Sequence, residues 1–324
     1  MQATKVTTNI VLAVVTAATG SLLHPAVAEA AGAATLPTLV AYVRSGDVYL
    51  SRGASETRLT TDGGYARPRW SPDGRQLAYL HGGQLWTMKA DGTARRRLTT
   101  RPAAGPSWSP DGRSIAFASL SCTGGPGVYR IAATATNATP QVLFPAECRG
   151  QALPAAPEVQ ARTAGALADR LRTDDAVAWS PDGTKVAFRG GDCESVYDAC
   201  LSVGTVATGA EQTVAAYGGG SLETSGFAVV PSWRSDGAKL AWTAAQQGEV
   251  SADDQPVHIV EYDTISGSKR TVGAALDREM AYVDASRGVV TGQYRGGSWL
   301  MIVNLGTGAR TAFHSGSQPS VQPR

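Results

Sequence analysis

One ten-residue pattern of hydrophobic and polar positions recurs along the chain. It is written WSPDGRQLAY at 70–79, WSPDGRSIAF at 108–117 and WSPDGTKVAF at 179–188, and in altered form WRSDGAKLAW at 233–242. After each tryptophan, the seventh position is aliphatic and is followed by alanine and an aromatic residue. Because alternate side chains of a strand share a face, the bulky residues point one way and the alanine the other. The pattern predicts strands pressed between two neighbouring sheets, with alanine permitting close approach.

The polar centre of this phrase predicts a tight turn between two strands. Proline presets φ, aspartate bonds the local backbone and glycine accepts a positive φ. We expect structural roles for the tryptophan, aspartate and glycine of every copy, with the tryptophans mostly buried. These residues are Trp70, Asp73, Gly74, Trp108, Asp111, Gly112, Trp179, Asp182, Gly183, Trp233, Asp236 and Gly237.

Two more short strands follow each copy, which gives a unit of four antiparallel strands repeated at about 40 residues. The fold class predicted is therefore all-β, a six-bladed β-propeller of four-stranded antiparallel blades. The six blades are expected at about 38–61, 65–100, 105–146, 175–217, 227–274 and 278–314. The sixth has a degenerate phrase in which Val283 replaces tryptophan and Val290 follows seven positions later.

The first unit lacks an innermost strand of its own. Its triplet VAY at 40–42 has no turn phrase before it, whereas the segment PSV at 319–321 aligns with PSW at 106–108. An unpaired inner edge would leave a row of open N–H and C=O groups. We predict that residues about 317–322 pair with residues about 38–43, so that the C-terminal strand closes the ring.

The phrases resemble the WD-like repeats of TolB-type β-propellers, in which a Trp-Ser-Pro-Asp-Gly turn is followed by an apolar strand. The resemblance covers nearly all of the chain after its leader and implies the propeller fold. TolB itself has an additional N-terminal domain, for which we expect no room here. Similar repeats form the propellers of prolyl-oligopeptidase-type enzymes and of some oligosaccharide lyases, so the fold is shared by binders and enzymes.

The N-terminus predicts export. Lys5 precedes a short apolar segment at 9–23, and small residues at 26–28 and 28–30 offer two cleavage sites, as in a secretory signal peptide. The apolar segment is shorter than the ~20 residues of a spanning helix. We expect a signal peptide at 1–30, a single propeller domain at 31–324 with a loop or helical insert at about 147–175, and secretion by a bacterium without stable membrane insertion. Cleavage at 28 or at 30 is left open.

The net charge argues against nucleic acid as a partner, and the cysteines indicate disulfides. A formal net charge of +2 is too small for a nucleic-acid footprint, and we expect a monomer. The four cysteines are even in number and contain no C-x-x-C pair, which in an exported protein favours two disulfides. We predict the pairs Cys122–Cys148 and Cys193–Cys200.

The long connections are expected at one end of the propeller, which we call the loop face; the opposite end, with the Ser-Pro-Asp-Gly turns, is the turn face. The long connections are 119–127, 147–175, 190–200, 217–226 and 244–256. Loops on a rigid scaffold often carry function, so the loop face is the candidate binding face. Six residues begin innermost strands there and predict a ligand-binding polar rim around the axis: Tyr65, Arg67, Asp174, Asp175, Arg278 and Glu279.

Catalytic signals are weak. No G-x-S-x-G elbow occurs, which disfavours a serine hydrolase, and His81, His258 and His314 fall on different blades, which disfavours a shared metal. We predict no catalytic residue and no cofactor, except that Asp192, Glu194 and Asp198 could supply oxygen ligands to calcium in the 190–200 loop.

The function predicted is a secreted, non-enzymatic binding module that recognises a protein or a cell-envelope glycan through the loop face. The alternative is a propeller enzyme, a lyase or hydrolase acting on an oligosaccharide or lactone, and whether the chain is an enzyme is left open. An enzyme would gather titratable residues with perturbed pKa values at the axial mouth. A binder would show aromatic and arginine residues on the loops without such a cluster, and a structural envelope protein would show neither.

Overall fold

The computed structural model describes residues 34–151, 176–191, 199–218 and 225–324. The described residues form six four-stranded antiparallel sheets arranged as a six-bladed β-propeller, which confirms the predicted fold class. The signal peptide predicted at 1–30 and most of the insert predicted at 147–175 lie outside the described residues. Within the described ranges, no helix has the length and apolar character needed to cross a membrane.

Each blade is a meander whose strands follow one another from the axis outward, except that blade one takes its inner strand from the chain end. Blade one contains β1 (Val40–Arg44), β2 (Asp47–Ser51), β3 (Glu56–Arg58) and β24 (Ser317–Val321). Blade two contains β4 (Tyr65–Trp70), β5 (Gln76–His81), β6 (Gln84–Lys89) and β7 (Arg96–Pro102). Blade three contains β8 (Ala104–Trp108), β9 (Ser114–Leu120), β10 (Pro126–Ala132) and β11 (Gln141–Phe144).

The other three blades follow the same plan. Blade four contains β12 (Ala178–Trp179), β13 (Lys185–Arg189), β14 (Ala199–Thr205) and β15 (Glu211–Tyr217). Blade five contains β16 (Ser225–Trp233), β17 (Lys239–Gln247), β18 (Gln255–Asp263) and β19 (Lys269–Val272). Blade six contains β20 (Arg278–Tyr282), β21 (Arg287–Tyr294), β22 (Gly297–Asn304) and β23 (Arg310–Ser315). Short 3-10 helices occur in connections, at Ala146–Cys148 and Ser251–Asp253.

The repeated phrase forms the hairpin between the first two strands of a blade. In blade two, Trp70 is opposite Leu77, and the Ser71 N–H donates to the Gln76 carbonyl at 2.9 Å to close the turn. The Asp73 carboxylate accepts from the Ser71 hydroxyl at 2.6 Å. The local sequence therefore fixes both the turn and the strand register.

The gaps between blades hold the core. Ala41 of blade one packs in one cluster with Trp70, Leu77 and Tyr79 of blade two, and the same relation recurs where Ala187 of blade four meets blade five. The alanines of the triplets are fully buried. Bulky side chains of one blade thus face the alanine of the blade before it, as the alternation predicts.

The predicted ring closure is confirmed. Strand β24 pairs antiparallel with β1, with Val321 opposite Val40 and Ser317 opposite Val43. Val321 therefore takes the position that tryptophan holds in the intact phrases. The two ends of the described chain are joined within blade one, so the inner edge of β1 is paired and not left open.

The register predicted for blade six is wrong. Tyr282, not Val283, takes the tryptophan position, and its partner is Gly288 rather than Val290. The cause is a shorter turn, in which the Val283 N–H donates to the Arg287 carbonyl, without the Pro-Asp-Gly centre. Of the phrase tryptophans, Trp70 and Trp108 are buried at 5% and 7% exposure, whereas Trp179 and Trp233 are half-buried.

Candidate functional site

The innermost strands share a backbone irregularity near the axis. The residue three positions before the phrase tryptophan, or before its substitute, has a positive φ at Arg67 (52°), Val230 (54°), Glu279 (59°) and Gln318 (60°). The strand register shifts at the same place, for example between Ala66 and Arg69. A bulge of this kind re-aims a side chain out of the strand alternation. The directions of these four side chains therefore cannot be predicted from the alternation of faces along a strand.

On one side of the axis the re-aimed residues form a buried polar network. The guanidinium of Arg67 lies 2.9 Å from the carboxylate of Glu279, with side-chain exposures of 0% and 7%. The side-chain oxygen of Gln318 accepts from the backbone N–H of Arg67 at 2.6 Å, and the backbone N–H of Gln318 donates to the Glu279 carboxylate at 3.0 Å. The Thr291 hydroxyl donates to the same carboxylate at 2.6 Å. Blades one, two and six are thus tied together at the centre.

The other side of the axis is filled by small and apolar residues. A β-carbon placed on Gly105 would lie 2.3 Å from that of Ala176, so the two backbones are too close for any side chain at position 105. Ala176 and Val230 are buried in a common cluster. Around the described part of the axis, the ring of bulge residues is therefore closed by packing on one side and by an ion pair on the other.

The electrostatics of this centre favour a fixed charge. Burial by itself would raise the pKa of the Glu279 carboxyl, but the Arg67 charge and the Thr291 hydroxyl favour the carboxylate, and the pKa lies below its usual value. A carboxylate that is saturated by these donors is poorly suited to transfer a proton. The pair connects the innermost strands of blades two and six.

The predicted axial rim is brought together only in part. Arg67 and Glu279 meet, whereas Arg278 is exposed. Tyr65 does not border the axis; it is 4% exposed, it stacks on His81 with ring centroids 4.3 Å apart, and its hydroxyl donates to Asp62 at 2.8 Å. The reason is that Tyr65 precedes the bulge and keeps the normal strand direction into the gap between blades. Asp174 and Asp175 lie outside the described residues.

The three histidines occupy separate environments. His81 packs on Tyr65, and the Nδ1 atom of His258 lies 2.8 Å from the Pro256 carbonyl. His314 lies at the seam between blades six and one. Across the described ranges, no group of three His, Cys, Asp or Glu residues is placed to hold a metal ion. Asp192, Glu194 and Asp198, the calcium candidates, lie outside those ranges.

A serine, a histidine and a glutamate meet at that seam without forming a catalytic arrangement. The Nε2 atom of His314 lies 2.9 Å from the Ser51 hydroxyl, and Nδ1 lies 3.5 Å from the Glu56 carboxylate. The same Nε2 atom is 2.8 Å from the Gly53 carbonyl, which can only accept, so this nitrogen carries its proton and cannot serve as the base for serine. Ser51 is also 1% exposed. These contacts of His314 connect blade six to blade one.

The loop face presents an exposed apolar side chain on a hydrogen-bonded connection between blades five and six. Leu276 is 49% exposed and has a φ of +69°. The buried Asp277 carboxylate accepts from the Ala274 N–H at 2.7 Å and pairs with Arg310 at 2.5 Å. The Leu276 N–H donates to the Val257 carbonyl at 2.7 Å. Non-glycine residues with a positive φ often mark functional segments.

Two further features characterise the loop face. Val250, in the connection between β17 and β18, is 59% exposed. The predicted disulfide Cys122–Cys148 is present, with Cα atoms 5.6 Å apart, and it joins two connections of blade three. Cys200 is also disulfide-bonded, whereas Cys193 lies outside the described residues.

Sequence reasoning missed Gln318 and Leu276. Gln318 could have been found, because it stands three positions before Val321 in the alignment that placed the closing strand. Leu276 lies in a connection without periodicity, and its exposure follows from the backbone conformation of that loop.

Comparison with solved structures supports the fold. The chain is similar to TolB from Acinetobacter baumannii, with 15% identity and a TM-score of 0.64 over 89% of this chain and 67% of that one. It is similar to a putative TolB from Agrobacterium tumefaciens, with 15% identity and a TM-score of 0.57 over 86% and 91%. A gluconolactonase from Xanthomonas campestris matches with 12% identity and a TM-score of 0.51 over 88% and 87%.

At these identities the likeness concerns the fold alone, which is that of TolB-type propellers and is shared with an enzyme. No protein-family model matches the chain. No curated protein matches it in sequence.

Proposed function

We propose that the chain is a non-enzymatic binding module that acts outside the cytoplasm and recognises a protein or cell-envelope glycan through its loop face. The observation that carries this proposal is Leu276, an exposed apolar side chain on a connection locked by Asp277 and Arg310. An apolar group held in place before binding loses little conformational entropy on association. This feature favours a protein as the partner.

Among the described residues, the axial centre favours binding over catalysis. In a propeller enzyme we would expect titratable groups with perturbed pKa values to face a mouth at the axis. Here Arg67 and Glu279 are buried against each other. Their charges are satisfied within the fold and are not presented to a substrate.

An oxidising location is supported by the Cys122–Cys148 disulfide, since disulfides persist mainly in exported proteins. We extend the proposal to a monomer that leaves the cytoplasm by the signal peptide predicted at residues 1–30. The bacterial origin is likewise part of the proposal.

The test compares the protein with a Leu276→Ser variant for binding to cell-envelope extract, with an Ile265→Ser variant as control. Ile265 is 88% exposed but lies on the turn face. We expect saturable binding that the Leu276 change weakens at least about tenfold, or 1.4 kcal/mol, and that the Ile265 change leaves intact. Turnover of oligosaccharides or lactones by the protein, or equal binding by both variants, would overturn the proposal.

A further inference from the structure

On the turn face, one repeated contact closes the gaps between three pairs of neighbouring blades. A β-carbon on Gly112 of blade three would lie 3.8 Å from Cδ of Pro72 in blade two. One on Gly183 of blade four would lie 3.7 Å from Pro110 of blade three, and one on Gly74 would lie 3.0 Å from the Gln322 side chain. The turn of one blade thus packs on the turn region of the blade before it.

This contact is missing between blades four and five. A β-carbon on Gly237, the equivalent glycine of blade five, would have nothing within 4 Å. The phrase differs here, because Arg234 and Ser235 replace the serine and proline of the intact copies. A groove of about 510 Å³ opens in the gap, with the Ser180-Pro181-Asp182 turn on one side and the Ser235-Asp236-Gly237 turn on the other.

The floor of the groove is aromatic and fixed. Trp233 and Tyr262 line it, and both are half-buried against the core between blades four and five. The indole N–H of Trp233 donates to the Ala178 carbonyl at 3.1 Å, so the indole contributes its ring surface and not its N–H. Tyr262 packs against Trp242 with centroids 6.4 Å apart. These rings hold their positions before any ligand arrives.

The rim of the groove carries donors and acceptors without a net charge. The Asp236 carboxylate is paired with Arg234 at 2.8 Å, which leaves Asp182 and Lys185 as lining groups of opposite sign. The Ser180 hydroxyl and the Thr184 N–H hold the pKa of Asp182 below its usual value, so it stays charged. Within the described ranges, no hydrogen bond engages the exposed amide of Gln212 or the amine of Lys185.

From this arrangement we infer that the groove between blades four and five binds a neutral oligosaccharide. The C–H face of a sugar ring complements the negative face of an aromatic ring. Sugar hydroxyls both donate and accept, which matches a carboxylate, an amine and an amide around one floor. The volume lies within the ~300–1,000 Å³ usual for ligand sites.

This site is separate from the loop face and does not rest on the function proposed above. The sugar-binding inference and the proposed function can be refuted independently, because Leu276 and Tyr262 lie at opposite ends of the propeller. A Leu276→Ser variant should bind sugar like the unchanged protein, and a Tyr262→Ala variant should bind the envelope partner like the unchanged protein.

The test is calorimetric titration of the protein with chitotriose, cellotriose, maltotriose and the anionic trigalacturonic acid. We expect saturable binding of at least one neutral trisaccharide and weaker binding of the anionic one. Tyr262→Ala should lower the affinity at least about tenfold, which corresponds to 1.4 kcal/mol, whereas Tyr262→Phe keeps the ring and should stay within about twofold of the unchanged protein.

The exposed Gln212 provides a variant that does not disturb the core. Gln212→Ala should weaken sugar binding severalfold, while Gln141→Ala, at the corresponding strand position of blade three, should leave it unchanged. The inference is overturned if no neutral trisaccharide binds at about 10 mM, which is tenfold above a weak dissociation constant of about 1 mM. It is also overturned if trigalacturonic acid binds best, or if folded Tyr262→Ala and Gln212→Ala proteins bind like the unchanged one.

Discussion

Arg67 of blade two and Glu279 of blade six form an ion pair of 2.9 Å across blade one, and both side chains are almost fully buried. The pair spans the place where the two ends of the described chain meet. Removal of one partner from a buried pair leaves an uncompensated charge, which typically costs 3–5 kcal/mol, about the scale of a large core mutation.

We therefore expect Glu279→Gln to lower the free energy of unfolding by about 3–5 kcal/mol. The double variant Arg67→Met/Glu279→Leu should recover much of this loss, because it removes both charges. Urea unfolding of the two variants and the unchanged protein measures the difference. Equal stabilities for Glu279→Gln and the unchanged protein would show that the pair is not an energetic connection.

The same carboxyl predicts a response to acid. Its folded pKa lies below its usual value of 4.5, so the folded state binds fewer protons than the unfolded state and stability rises with pH. The contribution is fully present above the unfolded pKa and is lost as the pH falls through the lower folded pKa. Glu56, whose pKa is also lowered, acts in the same direction.

Urea midpoints measured from neutral pH down to about pH 3, below the usual glutamate range, check this expectation. The unchanged protein should lose stability below the usual glutamate pKa, and Glu279→Gln should lose less over the same interval. If the urea midpoints of the two proteins fall in parallel with pH, Glu279 does not contribute to the acid response.

Ring closure by β24 predicts a strong effect of C-terminal truncation. Removal of all residues after Ser315 would take away the inner strand of blade one together with Gln318, which bonds both Arg67 and Glu279. We expect a much lower melting temperature and aggregation through the exposed edge of β1. Removal of the exposed Pro323 and Arg324 alone is the matched control and should change neither. A truncated protein that melts like the control would contradict the closure.

The phrase tryptophans differ in burial, so their replacement by alanine should lower the free energy of unfolding by different amounts. Trp108 is 7% exposed, and its indole N–H donates to the Arg69 carbonyl of the preceding blade at 3.0 Å. Trp108→Ala should cost about 3–5 kcal/mol. Trp179 is half-buried and donates within its own turn, to Gly183, so Trp179→Ala should cost less. Chemical denaturation measures the loss in free energy of unfolding for both variants. A larger loss for Trp179→Ala than for Trp108→Ala would argue against the interblade role of Trp108.

The blades could be predicted because their signals are local. The turn phrase, the alanine of the triplet and the alignment of residues 319–321 each act over a few residues, and together they placed the strands and the closure. In blade six the phrase has lost its Pro-Asp-Gly centre, so nothing in the sequence fixed the turn length, and the predicted register was wrong.

The candidate sites depend on features that the strand period does not contain. The bulges at Arg67 and Glu279 turn their side chains toward the axis, whereas Tyr65, two residues before a bulge, stays between blades. The groove at Trp233 arises from a turn contact that fails to form at Gly237. The exposure of Leu276 depends on its positive φ and on the partners of Asp277.

Photocrosslinking from position 276 tests the central claim, recognition through the loop face, most directly. A photoreactive amino acid is placed at position 276 or, as control, at the exposed position 265 of the turn face, and each protein is irradiated in cell-envelope extract. We expect one discrete adduct of protein mass from position 276 and none of that mass from position 265. The same adduct from both positions, or no adduct from position 276, would contradict it.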